Sequence, residues 1–307
     1  MLSADATSQR ADQIFRTGPE TLVAASSGII AGHISHFAKE VLSSSPPGPD
    51  GFPVEWKATG EVDEPRTLKG TPRPAPIHFS RLERSFVSAA PTPAPRWAQQ
   101  YGELSATGDV VLFYSSPDDQ TPSDIFPSAA GEQDLAALVK DIVSFQSVAE
   151  PKKQIDGWLA YLNSSRSGEA SRVALRSLVQ LSVEWGQIDP VMRKLLSSPD
   201  VPRDTRDYAF AFVAFQITHD VWQKEVGAAL ELLCSAFQAQ KDANSQVRNL
   251  DGLLLVLDFT SKEPLQDSRR PLRHRIETCL KSWASSGVAA QASLEEYKRL
   301  QQRYKLQ

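Results

Sequence analysis

Apolar positions change rhythm once along this chain. As far as Tyr114 they come in short runs or alternate with polar residues; from Leu135 onward they recur at intervals of three and four. The first rhythm is that of strands and the second that of amphipathic helices. Residues 27–37 (SGIIAGHISHF) read as a strand, with a helix over 19–41 as the alternative, because Leu22, Ile29 and Phe37 come near a helical period. Residues 54–62 (VEWKATGEV) alternate as a half-buried strand should. Residues 77–79 form a short strand, and 110–114 (VVLFY) are a continuous apolar run suited to a central strand.

Beyond Gly131 the apolar stripes predict a series of helices. They run through Leu135–Val143, then Ile155, Trp158 and Leu162, then Val173 and Leu178. Val191 and Leu195 mark a short helix, and Tyr208 and Phe215 the next. A long helix runs through Val221, Trp222, Leu230 and Phe237. The last three hold Val247 and Leu257, then Leu272 and Trp283, then Leu294 and Tyr304. Three of these helices open with an arginine before an apolar run, Arg172, Arg206 and Arg248, at spacings of 34 and 42 residues. Periods near 40 suggest a HEAT-like α-solenoid, with an irregular helical bundle as the alternative.

Proline supports the division. Residues 1–130 hold 15 of the 21 prolines, and proline is excluded from helix interiors but tolerated in loops and at strand edges. Residues 43–50 (SSSPPGPD) read as a turn and 89–95 (AAPTPAP) as an extended linker. The expected fold class is α+β. A tail over 1–16 precedes a small β-barrel or sandwich over 17–130, and helices fill 131–307.

A resemblance is carried by GIIAGHI, EVDEPRTLKGTPRPAPIHFSR and GDVVLFYSS. Together these segments resemble poorly characterised bacterial envelope proteins. Those proteins pair an N-terminal barrel, similar to an OB-fold or to the inhibitory domain of tissue inhibitors of metalloproteases, with C-terminal HEAT-like helices. The resemblance implies that GIIAGHI is the first barrel strand, that the turn at Leu68, Lys69 and Gly70 ends the second, and that VVLFY is a late one. The inhibitors depend on an N-terminal cysteine and disulfides. Residues 1–130 contain no cysteine, so inhibition is not implied here.

Charge narrows the function. The 307 residues carry a formal net charge of −4, with 10 basic and 15 acidic residues in 1–130 and 23 basic and 22 acidic in 131–307. Neither part has the basic excess of a nucleic-acid or anionic-membrane binder. No apolar run is long enough to span a bilayer. The first fifteen residues lack a basic segment followed by an apolar one. The expectation is cytoplasmic residence, or the cell envelope or periplasm for a mature chain whose leader has been removed. Cys234 and Cys279 fit apolar helix faces. They read as buried thiols, or as one bridge between neighbouring helices in an oxidising compartment.

Candidate chemistry is sparse. No P-loop, G-x-G-x-x-G, C-x-x-C or G-x-S-x-G is present. His33 and His36 form H-x-x-H, yet residues three apart on a strand point to opposite faces and cannot share a metal. His78, His219 and His274 stand alone in the sequence, with His219-Asp220 placed to cap a helix beginning near Val221. Asp118, Asp119 and Asp124 suit a solvated turn, or Ca²⁺ as the sharper alternative. No metal or cofactor is implied. The candidate binding residues are Arg269, Arg270, Arg273 and Arg275, the densest positive cluster and suited to phosphate or an acidic face. Trp97 and Tyr101 join them, as an aromatic pair in a loop that either anchors the loop or serves as a binding hot spot. Of the other tryptophans, Trp158, Trp185, Trp222 and Trp283 fall on apolar helix faces and read as core. The leading expectation is a non-enzymatic scaffold that binds a protein partner. The alternative is a hydrolase with its site in the crevice between barrel and helices.

Overall fold

The computed structural model describes residues 18–44, 53–86, 104, 108–130, 133–164, 168–219, 222, 224–261, 266–287, 289 and 291–304. The chain divides into two compact units, Gln13–Gln154 and Ile155–Gln307.

The first unit opens with a short helix, α1 (Pro19–Ala25), followed by β1 (Gly28–Ser44), β2 (Pro53–Lys69), β3 (Ile77–Phe86), β4 (Asp109–Tyr114) and β5 (Asp124–Pro127). These strands form an antiparallel five-stranded sheet in the order β3-β2-β1-β4-β5. A small ladder of β6 (Ala129–Ala130) and β7 (Gln133–Asp134) leads into α2 (Leu135–Gln146). The region 19–41 is therefore a seven-residue helix and then a strand.

β1 is the spine of the sheet. Its first half, Gly28–His33, pairs with β4, and nearly its whole length pairs with β2. Four register shifts interrupt the β1–β2 ladder. Such bulges bend a strand and sharpen its twist. One places His36 in the left-handed region, with φ 49°. Another faces Gly32, where an added Cβ would stand 2.4 Å from Val62 Cγ1, so only glycine lets β2 approach this closely.

One face of the curled sheet holds Ile30, Ile34, Ala58, Val62, Ile77, Phe79, Val110, Leu112, Tyr114 and Ile125, joined by Leu104. The alternate residues Ile29, Ala31, Val111 and Phe113 are equally buried. α2 packs against β2 and β4, and α1 packs against α2. The VVLFY run is central, as its unbroken apolar character requires. Each large side chain buried here contributes roughly 1.5–3 kcal/mol. α2 starts where Asp134 accepts hydrogen bonds from Ala136 N (2.9 Å) and Ala137 N (3.2 Å), an N-cap.

The expected barrel is found as an open sheet. β3 and β5 are its edges, and no ladder joins them among the described residues. A side chain spans the gap instead: the Arg81 guanidinium on β3 donates to the Ile125 carbonyl on β5 and lies over the Phe126 ring at 5.8 Å. Arg73, in the β2–β3 turn, stacks on Tyr114 at 3.8 Å and donates to the Pro117 and Asp119 carbonyls beyond β4.

Helix α3 (Pro151–Asn163) contains the division between the units. It is followed by α4 (Gly168–Gln180), α5 (Trp185–Ser197), α6 (Arg203–Thr218), α7 (Val226–Ala239), α8 (Ala243–Ser261), α9 (Gln266–Ser285) and α10 (Gln291–Tyr304). From α4 onward the packing follows a rule. α4 packs on α6, α6 on α8 and α8 on α10; α5 packs on α7 and α7 on α9. Helices consecutive in the chain pack across these two rows, as α5 on α6, α6 on α7, α7 on α8 and α8 on α9. α6 is enclosed on several sides, with Phe210 and the whole of 212–217 buried. Gly252 of α8 brings the backbone against the Phe210 ring, where a Cβ would stand 3.1 Å away. Trp158, Trp185, Trp222 and Trp283 are all core residues. Trp222 lies in the turn before α7 and donates from Nε1 to Val183 O at 3.0 Å.

Two boundaries differ from expectation. α7 begins at Val226, and His219 closes α6 rather than capping α7. Its ring stacks on Phe215 at 3.8 Å, and Nδ1 lies 2.9 Å from Phe215 O, a carbonyl that also accepts from the His219 backbone N–H at 3.1 Å. Asp220 lies outside the described residues.

Candidate functional site

The basic cluster lies in the first turns of α9, and the helix distributes it around its circumference. Arg269 turns to α8, where its guanidinium stacks on Phe259 at 3.5 Å and donates to Phe259 O at 3.2 Å. Arg273 lies along α9 and binds Glu277 at 2.9 Å. Arg275 reaches α7, with Nη1 3.1 Å from Glu231 Oε1 and 3.5 Å from Gly227 O. Arg270 and His274 are exposed, with Lys281 further along. Arg270 makes no ion pair with a described residue. What is dense in sequence is thus divided into contacts with α8, with α9 itself and with α7, plus an outward strip at 270, 274 and 281. Trp97 and Tyr101 lie outside the described residues.

Glu231 also joins Arg275 to a pair the sequence reading passed over. On α5, Arg193 Nε binds Asp189 Oδ2 at 2.9 Å. That hydrogen bond, the Asp189 charge and the Glu231 charge all hold the Arg193 guanidinium above its ordinary pKa. A charged line therefore runs Asp189–Arg193–Glu231–Arg275 across the row α5-α7-α9. The spacing of Asp189 and Arg193, four apart on a helix, is visible in sequence. The contact of Glu231 with Arg275 is tertiary and is not.

The other row holds a buried polar seam. Glu169 and Arg176 of α4 pair at 2.8 Å with 1% and 3% of their side chains exposed. Arg172 adds a 3.5 Å contact to Glu169 and lies 5.5 Å from the Tyr208 ring of α6, whose hydroxyl is 3.4 Å from Arg176 Nη1. One helix on, Asp207 of α6 accepts from Ser245 Oγ at 3.2 Å and meets Arg248 of α8 at 3.4 Å and Arg203 at 3.8 Å. Burial pushes the Asp207 carboxyl above the ordinary range, opposed by the Ser245 hydrogen bond and the two arginines. Of the three arginines that open helices, Arg172 and Arg248 belong to this seam, while Arg206 donates to Ser198 O at 3.3 Å. The Glu169 pairs lie within α4, whereas Arg248 of α8 meets Asp207 of α6 across the contact between these two helices.

The histidines of the first unit divide between two carboxylates. His33 Nδ1 lies 3.1 Å from Asp109 of β4, whereas the bulge turns His36 to Glu61 of β2 at 3.1 Å, and His78 of β3 reaches the other Glu61 oxygen at 3.3 Å. Asp119 accepts from Ser116 N at 2.7 Å and shapes the turn after β4. Asp124 stands beside Arg81, with its carboxyl raised by burial and lowered in part by that arginine. Among the described residues no group of three or more His, Cys, Asp and Glu side chains is placed to hold a metal ion. Thr218 Oγ1 lies 3.2 Å from His219, but it donates to Phe215 O within the same helix end. Among the described residues no helix is long and apolar enough to cross a membrane.

No known protein family, no curated protein and no solved structure matches this chain. The class rests on architecture alone: an α+β protein with an open antiparallel sheet in its first unit and helices stacked in two rows in its second.

Proposed function

We propose that this is a non-enzymatic scaffold whose stacked helices bind a protein partner. The observation that carries the reading is the alternation of the helices between two rows, each row linking helices two apart in the chain. Such stacking is the construction of a HEAT-like solenoid, which exposes one helix face per repeat as an extended binding surface. The sheet order β3-β2-β1-β4-β5 is that of an OB-like barrel opened between its third and fifth strands. An OB-like domain followed by HEAT-like helices is also the pairing of the envelope proteins that the sequence resembles.

The partner-facing row is α5-α7-α9. Among the described residues its exposed charges are mostly basic: Arg193, Lys194, Arg270, Arg275 and Lys281 against Glu231, with Asp189 half-buried. This face fits an acidic protein surface, with charge setting the encounter rate and register more than the affinity. Arg270 and Lys281 are separated by three helical turns and share one side of α9.

The test is parallel capture from cytoplasmic and envelope fractions of host lysate, using the full-length protein and an Arg270→Glu/Lys281→Glu variant. The expected result is a stoichiometric protein partner whose capture falls at least about tenfold with the variant and weakens with salt. Equal capture by both forms would remove this face from the interface. No partner in any fraction would overturn the scaffold reading.

A further inference from the structure

The chain has two cysteines, and the fold brings them together. Cys234 lies on α7 and is half-buried; Cys279 lies on α9 and is buried. Their helices are packed neighbours of one row. Contacts on both sides of the pair set the register. One turn before Cys279, Arg275 reaches Glu231, one turn before Cys234. One turn after Cys234, Gln238 Nε2 donates to the carbonyl of Cys279 itself at 3.4 Å. The two cysteines therefore stand at the same level of the α7–α9 seam.

We propose that Cys234 and Cys279 are a disulfide-forming pair, so that this protein takes a reversible covalent cross-link between α7 and α9. The reaction is thiol–disulfide exchange with a small-molecule disulfide. Cys234, the more exposed thiol, loses its proton and attacks one sulfur of that disulfide, which releases one thiol and leaves a mixed disulfide. Cys279 then loses its proton and attacks Cys234 Sγ, which expels the second thiol and forms the Cys234–Cys279 bond. The pair gives up two electrons and two protons, and the disulfide oxidant is reduced to two thiols. The order follows from accessibility. The Cys279 thiol is held protonated by its hydrogen bond to Cys234 and by burial, which makes it the resolving rather than the entering group. This inference is independent of the proposed function, because it concerns the seam between two helices and not the face they present.

The experiment incubates folded full-length protein with oxidised glutathione, then alkylates free thiols and maps peptides by mass spectrometry. The expected result is loss of both alkylatable thiols, a linked peptide pair containing Cys234 and Cys279, and restoration of both thiols by dithiothreitol. Cys279→Ser should stop at glutathione on Cys234, and Cys234→Ser should take up none. Wild-type protein that keeps two alkylatable thiols, or that accumulates glutathione on Cys234 without closing the bridge, would overturn the proposal.

Discussion

Arg81 of β3 donates a hydrogen bond to the backbone carbonyl of Ile125 on β5. The outer strands of the sheet are thus joined by a guanidinium and not by a ladder. A barrel expectation and an open sheet differ here by one side-chain bridge. An edge carbonyl that a neighbouring strand would satisfy is instead satisfied by a charged donor, and such bonds are stronger than neutral ones.

Replacing Arg81 by alanine should destabilise the first unit by about 1–3 kcal/mol, the range for losing a charged hydrogen bond. It should also move Asp124. Burial holds that carboxyl above its ordinary pKa while Arg81 pulls it down, so the variant leaves it higher still. A carboxyl raised on folding binds its proton more tightly in the folded state. Its contribution to stability therefore falls as pH rises from the ordinary carboxylate value through the raised one. A side-chain carboxyl titration by NMR checks this, and an Asp124 midpoint unmoved in the variant would separate the two residues.

The Glu169–Arg176 pair is almost fully buried. Glu169→Ala leaves a buried guanidinium without its carboxylate and should cost about 3–5 kcal/mol. Removing both charges, as Glu169→Leu with Arg176→Met, should cost much less. Denaturant midpoints of the two variants test the point. Equal losses would mean that the pair acts through its packing and not through its charge.

Asp242 caps α8 by accepting from Ser245 N at 2.8 Å and meets Arg203 at 3.2 Å. The backbone hydrogen bond is the main reason its carboxyl is depressed below the ordinary range. A depressed carboxyl adds stability that is complete above its unfolded pKa and is lost as pH falls through the folded one. The stability gap between wild type and Asp242→Asn should therefore be largest at neutral pH and shrink below about pH 4. Thermal unfolding of both proteins across that range measures it, and a gap that does not change with pH would count against a charge effect.

Gly60 lies under the Phe79 ring, where an added Cβ would come within 2.6 Å of Phe79 Cζ. The ring is 97% buried, being 3% exposed, and has little room to retreat. Gly60→Ala should destabilise the sheet by about 1–3 kcal/mol, the usual cost of overpacking. Combining it with Phe79→Leu should recover part of the loss in the same unfolding assay.

Much of the architecture is legible in local pattern. VVLFY announces a central strand, and the apolar stripes locate the helices because each stripe is buried against a neighbour. The strand ends are less legible. β2 runs on from Val62 to Lys69 through Asp63, Glu64 and Pro65, a polar stretch that reads as a stop. A bulge absorbs the proline and puts Glu64 at φ 49°. β5 is four residues long with only Ile125 fully buried, too short to show alternation. The dispersal of the basic cluster is not legible in the sequence, for a geometric reason. Arg269, Arg270, Arg273 and Arg275 are close in sequence, but about 100° per residue on a helix sends them to different neighbours. The partnership of Glu231 with Arg193 and Arg275 depends on which helices share a row, and no local pattern carries that.

The two-row packing has a consequence for how a chain of this design can change length. Deleting α7 alone would move α8 into the row of α5 and α9 into the row of α6, presenting the seam residues of both to the wrong neighbours. Deleting α7 together with α8 would leave α6 facing α9 and α10 with each row's sense preserved. Growth and loss are thus counted in pairs, and the reach of either face is set in increments of one helix, much as a zip lengthens by whole teeth.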